Sequence, residues 1–126
     1  MRPSDAPRRL LLIDDDDLVS LAFREYLASA GCIADSARDL PTARLCLAQR
    51  SYAAVWLDLQ LTGTSTADCL RFLREVRESA RGARLIAVSG YASPHIERQA
   101  RAAGADCFLR KPFDPRAAAA MLREEA

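Results

Sequence analysis

Five short apolar runs, each followed by a longer amphipathic stretch, constrain this chain more than any single motif in it. Leu10-Leu11-Leu12-Ile13, Cys32-Ile33-Ala34, Ala53-Ala54-Val55-Trp56-Leu57, Leu85-Ile86-Ala87-Val88 and Asp106 to Leu109 read as strands. Continuous apolar runs of this length suit a parallel sheet buried on both faces. The stretches between them read as helices. The first is capped by Asp16 or Asp17 and stopped by Gly31, with Val19, Ala22, Phe23, Tyr26, Leu27 and Ala30 on one face. The second runs from about Pro41 to Ala48, and the third from about Thr66 to Ser79. The third has Cys69, Leu70, Leu73 and Val76 inward, and the Arg71/Glu75 and Arg74/Glu78 pairs on its wet side. Ser93-Pro94 opens the fourth and Gly104 ends it; the last runs from Pro115 to near Glu124. Strict alternation of strand and helix predicts an α/β fold, a doubly wound parallel sheet with helices on both faces.

Size and charge remove several classes of function. With 126 residues, half of them hydrophobic, the chain is expected to form one domain with its own core. Residues 1–8, rich in Pro, Ser, Asp and Arg, are expected to be a disordered arm, and residues 9–126 the folded domain. A net charge of +1 leaves no basic footprint for nucleic acid. No apolar stretch reaches membrane-spanning length, and the first residues hold no apolar run of a secretory signal. Cys32, Cys46, Cys69 and Cys107 form no CxxC and sit among apolar residues, as buried thiols in a reducing cytoplasm do. His95 follows Pro94 at a helix start, where exposure is the ordinary outcome.

In a doubly wound sheet, ligands bind beyond the carboxyl ends of the strands, at a switch in strand order. Asp14 and Asp15, Asp58, Ser89 and Lys111 stand at four such ends. Lys111 is the only lysine among many arginines. A compact ammonium suits a phosphoryl oxygen as a point charge. Clustered carboxylates repel one another, and Mg²⁺, a hard cation that prefers oxygen, relieves that repulsion. With its charge screened, Asp58 is able to attack phosphorus and form an aspartyl phosphate. Lys111 would then hold one phosphoryl oxygen, and Ser89 would donate a hydrogen bond to another. Each part alone is weak: an Asp after a strand is often a helix cap, and Ser-Gly marks any turn. The set at four strand ends is what is specific.

The runs Leu12-Ile13-Asp14-Asp15-Asp16, Trp56-Leu57-Asp58-Leu59, Val88-Ser89-Gly90-Tyr91 and Leu109-Arg110-Lys111-Pro112-Phe113 resemble the receiver domain of two-component response regulators. The resemblance covers essentially the whole chain after its first few residues, with the motifs in the family's order and spacing. It implies a flavodoxin-like sheet of five strands. It implies that Asp58 accepts phosphate from a sensor histidine kinase or a histidine phosphotransfer protein. Asp15, the Asp58 carboxylate and the Gln60 backbone carbonyl would ligate Mg²⁺, and Asp14 would act largely through a water. Ser89 and Phe108 would form the switch, Phe108 standing where many relatives carry Tyr. Gln60 and Tyr91 fall at positions that tune hydrolysis of the phosphoryl group, and the Lys111–Pro112 bond is expected to be cis. The output partner or effector domain is not specified, and the chain acts alone or as part of a larger regulator. One departure is Thr62, where the family usually has Pro; its loss is expected to loosen the loop after Asp58.

Two other readings share features with this one. A haloacid-dehalogenase-type phosphatase also uses Asp, Mg²⁺ and Lys on a doubly wound sheet. Its nucleophile follows the first strand with a second Asp two residues on, a spacing that Asp14 and Asp16 meet, but that reading leaves Asp58 without a role. A pseudo-receiver would keep the fold as a binding module without phosphorylation.

Overall fold

Apolar side chains alternate between the two faces of one central sheet, and this alternation sets the layers. The computed structural model describes residues 8–91 and 93–123. The expected arm, apart from Arg8, and the expected helix end at Glu124 lie outside the described residues. Strands β1 (Arg8–Ile13), β2 (Cys32–Ala37), β3 (Ala54–Asp58), β4 (Arg84–Ser89) and β5 (Cys107–Arg110) alternate with helices α1 (Asp17–Ser29), α2 (Leu40–Gln49), α3 (Thr66–Ser79), α4 (Pro94–Ala102) and α5 (Pro115–Arg123). All pairings are parallel, in the order β2-β1-β3-β4-β5. The doubly wound five-stranded sheet expected from the sequence is therefore present.

Leu11, Ile13, Val55, Leu57, Leu85 and Ala87 face a core closed by α2, α3 and α4. Leu10, Leu12, Ala54, Trp56, Ile86 and Val88 face a core closed by Phe23 and Leu27 of α1 and by Ala118 and Ala119 of α5. Small alanines let α5 approach the sheet closely on that side. Helices α1 to α4 are each started by a capping residue: Asp16, Asp39, Ser65 and Ser93 accept the Val19, Thr42, Asp68 and Ile96 N–H groups respectively.

The structure departs from the sequence reading in a few places. Strand β2 runs on to Ala37, past the polar Asp35 and Ser36. It is an edge strand, and Asp35 is held by the Tyr52 hydroxyl at 2.7 Å and by Arg9 at 3.3 Å. On α1 the buried residues are Ser20, Phe23 and Leu27, while Val19 and Ala22 are exposed. On α3 Phe72 is buried beside Cys69, Leu73 and Val76, and Leu70 is only partly covered. Arg71 pairs with Asp68 rather than Glu75, which instead meets Arg44 on α2. That crossing pair, with the Arg44 guanidinium 5.2 Å from the Phe72 ring centre, ties α2 to α3.

Arg77 of α3 donates to the carbonyls of Arg81, Ala83 and Gly104 and to the Asp106 carboxylate at 2.6 Å. It thereby joins the end of α4 to β4 and β5. Gly104 turns there with φ +118°, and a Cβ on it would lie 2.9 Å from Arg77 Cβ.

Phe72 is fully enclosed, so Phe72→Ala is expected to cost about 3–5 kcal/mol of stability. Urea unfolding measures it. A loss below about 1 kcal/mol, the range of surface substitutions and volume-conserving swaps, would show that this face is not the core.

Candidate functional site

The chain order reverses between β1 and β3, so the carboxyl ends of these two strands open a crevice. Asp14 and Asp15 follow β1, and Asp58 ends β3. Backbone hydrogen bonds fix the neighbouring strand ends: Asp14 N–H to the Ala37 carbonyl at 3.0 Å, Leu59 N–H to Val88 at 2.8 Å, and Lys111 N–H to Ser89 at 3.0 Å. Asp14, Asp58 and Ser89 are buried, at 3%, 2% and 2% exposure.

Side-chain bonds then define the site. Lys111 Nζ lies 2.7 Å from Asp58 Oδ2 and 3.7 Å from Asp14 Oδ2. Asp58 Oδ1 accepts the Gln60 N–H at 2.8 Å, and Asp14 Oδ1 accepts the Asp16 N–H at 2.9 Å. Asp15 Oδ2 accepts the Thr62 N–H at 2.8 Å. One oxygen from each of Asp14, Asp15 and Asp58 lies within 4.8 Å of the others. The Lys111–Pro112 bond is cis.

Charge is unbalanced here. Burial raises the Asp14 carboxyl above its usual value, and Asp58 and Asp15 add to this against the Asp16 N–H and Lys111. The Thr62 hydroxyl and N–H hold Asp15 below the carboxylate range. Burial pulls the Lys111 ammonium down, but the bond to Asp58 and the charges of Asp58, Asp14 and Asp15 outweigh it, so it titrates higher than usual. One ammonium does not neutralise three carboxylates. Asp14 Oδ2 is buried without a hydrogen-bond donor, and an orphaned acceptor among carboxylates is what a cation would satisfy. The all-oxygen donor set fits a hard divalent ion such as Mg²⁺.

Comparison with known proteins agrees. The sequence profile of the family described as the response regulator receiver domain matches residues 10–123. The chain belongs to that family. Protein PetR of Rhodobacter capsulatus is 30% identical over 90% of this chain and 46% of its own length. The C4-dicarboxylate transport transcriptional regulatory protein DctD of Pseudomonas aeruginosa is 33% identical over 88% of this chain and 23% of its own. The chain thus spans less than half the length of these curated relatives. A crystal structure of a response regulator from Burkholderia pseudomallei, with a phosphorylated aspartic acid, a calcium ion and citrate, is 25% identical. It superposes with TM-score 0.84 over 92% of this chain and 66% of that one. A CheY-like receiver domain protein from Methanospirillum hungatei shares the fold, with TM-score 0.84 and 22% identity over 93% of this chain and 91% of its own.

In this receiver domain an aromatic trio stands beneath the lysine. Phe113 packs against Trp56 at 4.8 Å between ring centres and against Phe23 at 5.5 Å, and Phe23 meets Trp56 edge-on at 5.0 Å. Phe113 is two residues past Lys111, and Trp56 is two before Asp58, so the trio anchors both ends of the ion pair to one core. Beside Lys111 lies an apolar groove walled by Val19, Ala22, Phe23 and Phe113.

At the mouth, the Gln60 side-chain oxygen accepts the Gly90 N–H, bridging the loops after β3 and β4. A Cβ at position 90 would meet that oxygen at 2.9 Å. The Tyr91 N–H donates to Ser89 Oγ at 3.0 Å, while the Tyr91 ring is 78% exposed. Phe108 is half-buried against the core on the α4 side.

The structure therefore gathers Asp14, Asp15, Asp58 and Lys111, with Ser89 joined to Lys111 through its backbone and Gln60 across the opening. Tyr91 and Phe108 stand at the periphery. Asp16 is an N-cap, so its carboxylate serves α1 and not the site, which removes support from a nucleophile-plus-two spacing at Asp14. In the sequence nothing marks Thr62 beyond the missing proline. In the fold its N–H, which a proline would lack, bonds to Asp15.

Asp14→Asn keeps the acceptor for the Asp16 N–H and removes a buried charge. Because the folded-state pKa of Asp14 is raised, the charged form costs stability at every pH above that value and nothing once pH falls below the unfolded value of 3.8. In EDTA at pH 7 the variant is expected to be more stable than wild type, an advantage that fades as pH falls toward 3.8. Urea unfolding across pH measures both points, and a gain that persists at low pH would contradict the assignment.

Proposed function

We propose that this receiver domain takes a phosphoryl group onto Asp58 from a phosphohistidine of a sensor histidine kinase or histidine phosphotransfer protein, and that the change alters its partner binding. The observation that carries this reading is the buried Asp58 carboxylate, held by Lys111 at 2.7 Å within a cluster of three carboxylates. A carboxylate oxygen of Asp58 forms the new P–O bond as the P–N bond of the phosphohistidine breaks. The electron pair leaves with the imidazole, which takes up a proton from water. Little covalent work falls to the protein; positioning and charge neutralisation are its share.

The residues divide that work. The Gln60 N–H fixes one oxygen of Asp58, and Lys111 fixes the other and then follows the incoming phosphoryl oxygens. Asp15, Asp58 and the Gln60 carbonyl would hold Mg²⁺, with Asp14 acting through a water. Bound Mg²⁺ supplies charge neutralisation for carboxylates and phosphoryl oxygens that would otherwise repel. Ser89 turns its hydroxyl from the Tyr91 N–H toward the phosphoryl group, and Phe108 moves into the space this vacates. Phe108 has no hydroxyl to hydrogen-bond in either position, so its place is set by packing alone. Gln60 and Tyr91 at the mouth govern access of hydrolytic water. The domain acts as a phosphoryl acceptor that promotes only its own phosphorylation and dephosphorylation.

Its setting follows from the relatives. DctD and AlgB of Pseudomonas aeruginosa are named as transcriptional regulatory proteins, and this chain matches about a quarter of each. An effector domain or a separate output protein is the expected reader of the switch, with no nucleic acid contacted by residues 9–126 themselves. No helix among the described residues is long and apolar enough to cross a membrane, and the domain is assigned to the cytoplasm, where kinase and Mg²⁺ are found.

Intact mass after incubation with acetyl phosphate tests the reading. A gain of one phosphoryl group is expected with Mg²⁺ and not without it, and Asp58→Asn is expected to abolish it. Mg²⁺ binding with no adduct at the shortest times would favour a pseudo-receiver. In the same assay Tyr91→Ala is expected to shorten the lifetime of the adduct; an unchanged lifetime would remove Tyr91 from that role.

A further inference from the structure

Thr62 lies four residues past Asp58, in the loop between β3 and α3, and its side chain is exposed. It is nonetheless bound to the site. Its N–H donates to Asp15 Oδ2 at 2.8 Å. Asp15 and Thr62 are 47 residues apart in sequence. This contact therefore joins the loop after β3 to the end of β1, across the crevice in which the acids meet.

The other two carboxylates of the cluster are positioned differently. Asp14 and Asp58 are buried, and each accepts the N–H of a residue two places on in its own segment. Asp15 is half-exposed, and the bond that fixes it comes from a distant segment. A carboxylate on an exposed turn samples several rotamers unless something holds it. The Thr62 N–H on Oδ2 restrains that rotamer. Carboxylates that ligate metals are commonly restrained by such outer partners, and losing one weakens metal binding. A proline at this position could not supply the bond, having no N–H.

We infer that Thr62 is a positioning residue for the divalent-cation site: its N–H, which the proline usual at this place in the family would lack, holds Asp15 in the orientation that ligates the ion. This rests on the reading of Asp14, Asp15 and Asp58 as a Mg²⁺ site. It also gives the loop after Asp58 a direct link to metal binding that a proline-containing loop would lack. Mg²⁺ should therefore tighten this loop through Asp15 as well as through Gln60.

The test is Mg²⁺ affinity by titration calorimetry for the full chain and two variants, with no phosphodonor present. Thr62→Pro removes the N–H, and its Kd is expected to rise about tenfold, the lower end of what loss of an outer partner costs a metal site. Thr62→Ala keeps the N–H and is expected to match wild type. Wild-type affinity in Thr62→Pro, or equally weakened binding in Thr62→Ala and Thr62→Pro, would overturn the positioning role while leaving the metal site intact. Hydrogen exchange of the Thr62 N–H in the wild type gives a second measure that needs no variant: it is expected to slow on adding Mg²⁺, and a rate unchanged by Mg²⁺ would overturn the role. Absence of Mg²⁺ binding by the wild type would overturn the reading of the site, and this inference with it.

Discussion

The contact between Lys111 and Asp58 is the constraint around which this domain is arranged. Three carboxylates at the mouth of one crevice would repel one another, and two of them are cut off from water. A single ammonium at 2.7 Å from one and 3.7 Å from another reduces that cost without removing it. The remaining negative charge is not a defect of the fold. On the proposed reading it is the driving force for a cation, and with the cation in place for accepting a phosphoryl group whose oxygens are themselves negative. A site neutralised fully by lysines or arginines would be more stable and would have no call for either.

Holding Lys111 at that distance is a packing problem. The lysine lies beyond the last residue of β5, on a segment without regular structure, where a flexible side chain would ordinarily wander. Two attachments confine it. Its backbone N–H bonds to Ser89, at the end of β4, and Phe113 packs against both Phe23 and Trp56. The second attachment explains why a residue as large as Trp is enclosed in β3 so close to Asp58. The indole is the floor on which the lysine-bearing loop rests. Core packing and site geometry are the same contact seen from two sides.

Much of this was legible in the residues because it depends on periodicities. Buried parallel strands such as β1, β3 and β4 are apolar through their centres and announce themselves. Helix starts at Asp16 and Ser93 were visible because capping needs a particular side chain at one position. The site residues were visible because a strand end is a small target and polar residues there are conspicuous. Legibility fails where a residue's role depends on a partner distant in the chain. Strand β2 looked three residues long because Asp35 interrupts it, and only the fold supplies Arg9 and Tyr52 to satisfy that carboxylate on an edge. Leu70 was read as an inward residue of α3, but the fold buries Phe72 and leaves Leu70 only partly covered.

Thr62 and Gln60 carry the same lesson into the site. In sequence both are polar loop residues after Asp58, and the roles expected for Gln60 named no partner in the fold. In the fold one reaches across to Asp15 and the other to the Gly90 N–H, so the loop after β3 is fastened to the ends of both neighbouring strands. Asp58 lies between these fastenings, bonded to the N–H of Gln60 itself, so the carboxylate that accepts phosphate on the proposed reading is joined through one short segment to both neighbouring strand ends.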